Sequence, residues 1–209
     1  MPLINEAIKY SRVSKGEAQK IVKSLYERHP ESIKELGMLY AYFMPPMPKS
    51  AKSNFAWVAK ACNPKDVSRP FSCYVFATDN GELVATEGPR LHLSKSEGRE
   101  PGYYHPKTEE KVNEEFIYPD FRRVIPDKEG RILTELKLSD LETIELGKTL
   151  FLVIENEHGK TAFNKKYILD AANGDDTPSV YIEQNERPRI LLIEKGEQKA
   201  VIMGTNHKI

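Results

Sequence analysis

Apolar and polar residues alternate most regularly within residues 71–93. The alternation runs through residues 74–78, stops at the turn-forming run Asp79-Asn80-Gly81 and then resumes, which predicts a β-hairpin. A second turn follows at Glu87-Gly88-Pro89, where the glycine can adopt a backbone conformation closed to most residues and the proline fixes its own φ. A third strand is therefore predicted to begin at Arg90.

Apolar residues recur at i, i+3 and i+4, the spacing of an amphipathic helix, in four further segments. Two of them, residues 15–28 and 31–43, precede a proline-rich run at 44–50 that predicts a rigid, extended linker. This N-terminal helical pair either packs on the rest of the chain or recruits another molecule. The other two predicted helices cover residues 55–62 and 164–172, and the second is predicted to be capped by Asn164 and stopped by Gly174.

Three predicted strands follow each of the two later helices. After the last helix these strands cover residues 179–183, 189–194 and 200–203. The pattern of one helix and three strands therefore occurs twice, at 51–93 and at 164–204, and indicates an internal repeat.

The segment between the two repeats has a different character. Residues 94–117 are polar and rich in turn formers, and they predict a long surface excursion with at most one helical turn. Residues 150–154 form the most apolar run of the chain and predict a strand buried on both faces. A hairpin turn is predicted at residues 157–160.

Three motifs in this chain resemble those of one protein family. The run Val84–Leu91 (VATEGPRL) resembles the ATDGHRL signature of the bacterial-type DNA sliding clamp, the β subunit of the replicative DNA polymerase III. Tyr118–Pro126 (YPDFRRVIP) resembles the FPDYRRVLP segment of the same family, and the two motifs occur in the family's order. Phe163–Asp170 (FNKKYILD) is similar to the start of a second helix in that family.

The resemblance implies an α+β fold. It predicts a DNA-clamp-type domain with two βαβββ-like half-domains and with helices on one face of antiparallel sheets. The simplest division is a clamp-like domain at residues 50–209, preceded by an N-terminal helical extension and linker at residues 1–49, which the resemblance does not cover. Two truncated clamp domains are the alternative.

The resemblance also implies a peptide-binding cleft, in which clients such as DNA polymerase and other replication proteins dock a short motif. The residues that match the cleft are Thr86, Gly88, Arg90, Leu91, Pro119, Arg123, Val124, Val201 and Met203. Apolar walls would bury peptide side chains, and the arginines would orient backbone carbonyls or an acidic group. The alternative is that the aliphatic members are ordinary core residues.

Two residues in the first motif depart from the family pattern. Glu87 stands where the family usually has aspartate, and Pro89 stands where it usually has histidine, which removes a hydrogen-bond donor and a ring from the cleft rim. These changes either alter client specificity or mark a cleft that has lost its original use.

In the family, the first helix of each half-domain carries lysines toward the DNA phosphates. The corresponding residues here are Lys52, Lys60, Lys65, Lys165 and Lys166. The alternative is that these lysines only solvate the outer faces of amphipathic helices.

Overall charge argues against tight, autonomous DNA binding but not against topological binding. The chain has 31 basic and 31 acidic residues, a balance that argues against tight, autonomous binding to nucleic acid. A clamp encircles double-stranded DNA without reading its sequence and needs basic residues only on its inner wall. The usual bacterial subunit has three clamp domains and dimerises, whereas this chain has one predicted domain, so a closed ring requires a homo-oligomer.

No motif for catalysis, a metal or a cofactor is recognisable. The five histidines are far apart in sequence, and no phosphate-binding glycine loop or nucleophile motif occurs. Cys62 and Cys73 fit buried thiols in a reducing compartment. No export signal or membrane span is recognisable either, so we expect a cytoplasmic protein without a membrane partner or a cofactor.

Three hypotheses follow from these observations. The first is a sliding-clamp-like processivity factor, and its reduced size suggests a phage or another mobile element as the source. The second is a clamp-fold adaptor or decoy that binds replication proteins without encircling DNA. The third is an unrelated enzyme.

Overall fold

The computed structural model describes residues 53–66, 68–96, 98–113 and 116–205. Contacts between Cα atoms divide the chain into Met1–Ala51 and Lys52–Ile209, and all described residues belong to the second unit. The predicted N-terminal helices, the linker and Lys52 lie outside the described residues. The division into an extension and a clamp-like domain near residue 50 stays a prediction.

The described part of the chain contains two short α-helices and twelve strands. The helices are α1 (Asn54–Val58) and α2 (Lys165–Ala172). The strands are β1 (Val75–Ala77), β2 (Glu82–Thr86), β3 (Arg90–Lys95), β4 (Gly102–Tyr104), β5 (Lys111–Val112), β6 (Arg131–Glu135), β7 (Thr143–Leu146), β8 (Thr149–Asn156), β9 (Gly159–Asn164), β10 (Ser179–Glu183), β11 (Ile190–Lys195) and β12 (Gln198–Met203). Single 3₁₀ turns occur at Ala59–Ala61, Pro70–Cys73, Phe121–Val124 and Leu138–Asp140.

Two antiparallel sheets organise these strands. The larger has nine strands in the order β5-β4-β1-β2-β3-β12-β11-β10-β6, and the smaller has three in the order β7-β8-β9. Every strand pairing is antiparallel. The predicted α+β class with antiparallel sheets is confirmed.

The predicted internal repeat is present as α1-β1-β2-β3 and α2-β10-β11-β12. The last strands of the two repeats lie side by side, with Leu91 of β3 opposite Val201 of β12, so the repeats meet at the centre of the large sheet. The helices also meet, because the indole Nε1 of Trp57 in α1 donates to the carbonyl of Ala171 in α2 at 3.2 Å.

Both helices begin at capping residues that the sequence makes recognisable. The side chain of Asn164 accepts a hydrogen bond from the Lys166 amide at 2.9 Å, and Ser53 accepts one from the Ala56 amide at 3.1 Å. Helix α2 ends at Ala172, and the next residue, Asn173, has a left-handed φ of 52°. The predicted Asn164 cap and the predicted end at Ala172 are confirmed, although the residue that terminates the helix is Asn173 and not Gly174.

Side chains alternate across the large sheet and form two separate apolar layers. The helix-side core contains Phe55 and Trp57 of α1, Ile168 of α2 and one face of each repeat's strands. The outer-face cluster lies on the opposite side of the sheet and consists of Val84, Leu91, Leu93, Phe121, Leu192 and Val201.

Two predictions about the middle of the chain are wrong. Residues 94–117 are not only a surface excursion, because β4 pairs with β1 and places Tyr103 and Tyr104 in buried positions. The polar residues around these tyrosines interrupt the apolar alternation, so the sequence pattern does not predict the strand. Strand β8 is not buried on both faces along its apolar run, since Leu150 is 47% exposed.

Candidate functional site

The outer-face cluster joins residues from both motifs. Leu91 follows the first motif's turn, Val201 lies opposite it on β12, and Phe121 comes from the second motif. Phe121 is only 6% exposed and covers the strands from above, so the second motif lies directly on the sheet face. The sheet face and the second motif therefore share one apolar cluster.

Aromatic contacts hold the second motif in place. The ring of Tyr118 stacks on that of Phe76 with centroids 4.9 Å apart and meets the Phe121 ring edge-on at 6.2 Å. Arg122 forms an ion pair with Glu82 of β2. Burial raises the pKa of Tyr118 well above its ordinary value, so this phenol stays neutral.

Apolar side chains remain exposed beside the outer-face cluster. Val124 at the end of the 3₁₀ turn is 53% exposed, and Met203 at the end of β12 is 52% exposed. Leu133 of β6 is 58% exposed and pairs with Tyr181 of β10, which packs against the outer-face cluster. Val124 and Met203 thus lie exposed on the segments that bound the outer-face cluster.

Backbone contacts tie the first motif's turn to the end of β12. The Met203 amide donates to the Pro89 carbonyl at 2.8 Å. The Thr86 hydroxyl donates to the Arg90 carbonyl at 2.6 Å and accepts from the Gly88 amide at 3.1 Å. Gly88 has a φ of 106°, a region open to glycine, so the family-like glycine is required by the turn itself.

Arg90 points away from this surface. It alternates with Leu91 along β3, so its side chain enters the helix side of the sheet and is only 4% exposed. There its Nη1 lies 2.7 Å from Asp170 Oδ2 and its Nε lies 2.6 Å from Glu87 Oε1. The guanidinium also donates to the Lys60 carbonyl. Arg90 therefore connects β3 to helix α2 and to the 3₁₀ turn that follows α1.

The remaining residues predicted for the cleft lie at the surface. Pro119 and Arg123 are exposed members of the second motif. The structure thus brings Leu91 and Val201 into one cluster and leaves Val124 and Met203 exposed on the segments that bound it, while Arg90 faces the other side. The assignment of these residues to a peptide site stays a prediction.

The predicted DNA-binding lysines have different surroundings. Lys60 donates to the Asp170 carbonyl at 3.0 Å, and Lys166 lies 2.6 Å from the Asp170 carboxylate. Lys65 is exposed on the loop after α1, whereas Lys165 is half-buried at the start of α2. DNA binding by these residues stays a prediction.

A cavity of about 800 Å³ lies on the helix side, between the first turns of α2 and the β7–β8 hairpin. Its lining includes Arg90, Asp170 and Cys62. Burial is the largest influence on the Cys62 thiol and raises its pKa to about 12, so the sulfur is protonated and unreactive at neutral pH.

Sequence patterns missed Asp170 and Phe121 as organising residues. Asp170 receives both Arg90 and Lys166, and the only signal for it is the i, i+4 spacing from Lys166. Phe121 lies inside the recognised motif, but nothing in its spacing marks it as the residue that reaches the sheet.

Among the described residues, no group of three or more histidine, cysteine, aspartate or glutamate side chains could hold a metal ion. No helix in the described ranges is long and apolar enough to span a membrane.

Comparisons with known proteins give structural matches only. No family model matches the sequence, and no curated protein matches it. Among solved structures, the sliding clamp (DNA polymerase III subunit beta) from Bartonella birtlesii bound to griselimycin matches with a TM-score of 0.51 and 18% identity. The match covers 74% of this chain and 64% of that clamp, which is less than two thirds of its length.

Two further bacterial clamps give similar values. The DNA polymerase sliding clamp from Bacillus subtilis has a TM-score of 0.50 and 16% identity, over 80% of this chain and 68% of the clamp. The clamp from Pseudomonas aeruginosa has a TM-score of 0.50 and 15% identity, over 78% of this chain and 68% of the clamp. The chain has the fold of the bacterial DNA sliding clamp, as the motifs predicted, and it spans about two thirds of the length of these clamps.

Proposed function

We propose that this protein is a sliding-clamp-like processivity factor, which tethers replication proteins to DNA through a peptide site on the outer face of its large sheet. The observation that carries the proposal is the position of the second motif, whose Phe121 packs on Leu91 and Val201 of the two central strands. The two sequence motifs and the C-terminal strand therefore form one continuous surface. Binding, rather than catalysis, is the role that such a surface supports.

The client would be a short peptide with apolar side chains. Val124 and Met203 would contact it directly, because both are about half exposed and both flank the outer-face cluster. Methionine adapts its shape to different partners, which suits a site that accepts several clients. Arg123 is exposed next to Val124 and would orient a carbonyl or an acidic group of the peptide.

We propose that griselimycin, the ligand present in the B. birtlesii clamp structure, would bind this chain at the outer-face site, and we use it as the probe. We expect the full chain to bind it in a calorimetric titration, and the Met203→Ser variant to bind it about tenfold more weakly, through loss of apolar contact. Leu146→Ser is the matched control, because Leu146 is a partly exposed aliphatic residue on the three-stranded sheet. Equal binding by Met203→Ser and the wild type would refute the outer-face site.

DNA would be held topologically, with Lys52, Lys65 and Lys165 directed to its phosphates. One pair of clamp-type repeats cannot surround a duplex, so a ring would need several copies. Light scattering from low to high micromolar concentrations tests this requirement. An oligomer that supplies about six clamp-type domains would support the ring, and a strict monomer would exclude it.

A clamp-fold adaptor or decoy is the second candidate. It is favoured by the bonding of Lys60 and Lys166, which use their ammonium groups within the protein at Asp170. Retention on nicked circular DNA, followed by linearisation, separates the two functions. A ring slides off linear DNA, whereas an adaptor does not remain on the circular form at all.

A further inference from the structure

The helix-side cavity carries unpaired positive charge. Four cationic side chains line it, namely Arg90, Lys148, Lys165 and Lys166, against the two carboxylates of Glu87 and Asp170. Both carboxylates are already engaged, since Glu87 pairs with Arg90, and Asp170 pairs with Arg90 and Lys166. Within the described residues, neither Lys148 nor Lys165 has an ion-pair partner, so the cavity has an excess of positive charge.

The β7–β8 hairpin brings one of these lysines to the cavity. Leu146 pairs with Thr149, so Gly147 and Lys148 form a two-residue turn, and the φ of 67° at Gly147 suits the first position of such a turn. The turn places Lys148 at the hairpin tip.

The other lysine comes from the start of α2. Phe151 of β8 pairs with Asn164, the capping residue of α2, so the hairpin tip and the first turn of the helix border the same cavity. Lys148 and Lys165 therefore approach one space from two separate elements.

The cavity also has an apolar part. Leu150 of β8 and Leu169 of α2 line it and are 47% and 48% exposed, respectively. The Cys62 thiol is neutral and adds no negative charge. A volume of about 800 Å³ accommodates a small organic ligand.

We infer that this cavity binds a phosphate group attached to an apolar or aromatic moiety, as in a nucleotide. Lys148 and Lys165 contact the phosphate, and Leu150 and Leu169 contact the organic part. Arg90 is not a direct ligand, because its donors are committed to Glu87, Asp170 and the Lys60 carbonyl. The site is separate from the outer-face peptide site and does not depend on ring closure, but it shares Lys165 with the proposed DNA contacts, whereas Lys148 belongs to the cavity alone.

The test uses adenosine monophosphate and inorganic phosphate, titrated into the full chain and followed by amide chemical shifts in NMR. We expect saturable shifts at residues 148–150 and 164–170, with adenosine monophosphate binding more tightly than inorganic phosphate. Lys148→Gln and Lys165→Gln should each weaken binding of the nucleotide by about five- to tenfold. Lys107→Gln, which removes an exposed lysine from the β4–β5 turn, should leave it unchanged.

Three results would overturn the inference. They are the absence of saturable shifts at millimolar ligand, wild-type affinity in both cavity variants, or an equal loss in Lys107→Gln. Equal affinity for inorganic phosphate and adenosine monophosphate would show that Leu150 and Leu169 do not contribute to binding, which contradicts the inferred contact with the organic moiety.

A competition experiment identifies the natural source of the phosphate. Displacement of the nucleotide by a single-stranded oligothymidylate would assign the cavity to a nucleotide within DNA, and failure to displace it would assign the cavity to a free nucleotide. Either result supports the cavity as a phosphate site. Because the griselimycin titration reports on the opposite face of the sheet, a failure of that proposal can be told apart from a failure of this one.

Discussion

Replacing Arg90 by alanine should destabilise the folded protein, and not only change ligand binding. The guanidinium connects β3 to Glu87, to Asp170 of α2 and to the Lys60 carbonyl, and it lies 4.4 Å from the centre of the Tyr167 ring. Alanine removes all four contacts at once. The carboxylates of Glu87 and Asp170 then lose their shared partner while they stay largely buried.

The magnitude follows from the burial of each group. Removing one partner of a fully buried ion pair costs about 3–5 kcal/mol, because the other charge stays behind without compensation. Here the Glu87 and Asp170 side chains are 15% and 20% exposed, and Asp170 keeps Lys166, which lowers the cost. Loss of the contact with the Tyr167 ring adds about 0.5–1 kcal/mol. We expect a loss of about 3 kcal/mol in the free energy of unfolding, or roughly 6–12 °C in Tm.

Urea denaturation followed by circular dichroism measures this loss. Arg122→Ala is the matched control, because Arg122 is 51% exposed and its ion pair with Glu82 should contribute less than about 1 kcal/mol. The stability of Arg90→Lys should lie between those of the wild type and Arg90→Ala, because lysine keeps the positive charge but lacks the planar guanidinium with its paired donors. If the free energy of unfolding of Arg90→Ala lies within about 0.5 kcal/mol of the wild-type value, the proposed role of Arg90 in connecting β3 to α2 and to the 3₁₀ turn after α1 is wrong.

The ion pair between Arg90 and Asp170 also predicts that the stability of the protein depends on pH in the acid range. Partial burial alone would raise the pKa of Asp170, but hydrogen bonds from Lys166 and Arg90 outweigh it and hold that pKa below its ordinary value. The carboxylate therefore contributes stability above the pKa that it has in the unfolded chain, about 4, and this contribution is lost as the pH falls through its lower folded value. Arg90→Ala should lose less stability than the wild type on acidification in this range.

Three further substitutions test the packing around α1 and β12. Trp57→Phe leaves the Ala171 carbonyl without its indole donor and should cost about 1–3 kcal/mol in urea denaturation followed by circular dichroism; an unchanged midpoint would contradict the hydrogen bond. Burial lowers the pKa of His92 to about 4, so stability should fall by up to about 3 kcal/mol as the pH drops from 6.5 toward 4, and His92→Gln should abolish that slope in pH-dependent unfolding. Gly204→Ala places a Cβ 2.3 Å from Thr161 Cγ2 and should lower Tm through overpacking worth about 1–3 kcal/mol, whereas a Tm at or above that of the wild type would show that the site can relax.

Local patterns determined much of this fold in advance. The turns at 79–81 and 87–89, the Asn164 cap and the three final strands all follow from neighbouring residues, because turns, caps and strand alternation depend on short-range chemistry. The order of helix and strands in each repeat was recognisable for the same reason. Three motifs then predicted the clamp fold before any tertiary contact was known.

Only the tertiary structure showed which residues of a motif lie together on one face of the sheet. Alternation separates Arg90 from Leu91 by a whole sheet, although they are adjacent in a motif that predicts one cleft. Strand β4 forms in a polar segment because it pairs with β1, and no pattern of neighbouring residues predicts that pairing. Asp170 pairs with both Arg90 and Lys166 only when β3 and α2 meet. Lys166 belongs to the same helix as Asp170, but Arg90 lies 80 positions earlier in the chain. Short-range chemistry thus determines the helices, strands and turns, and long-range packing determines which surfaces and cavities they form.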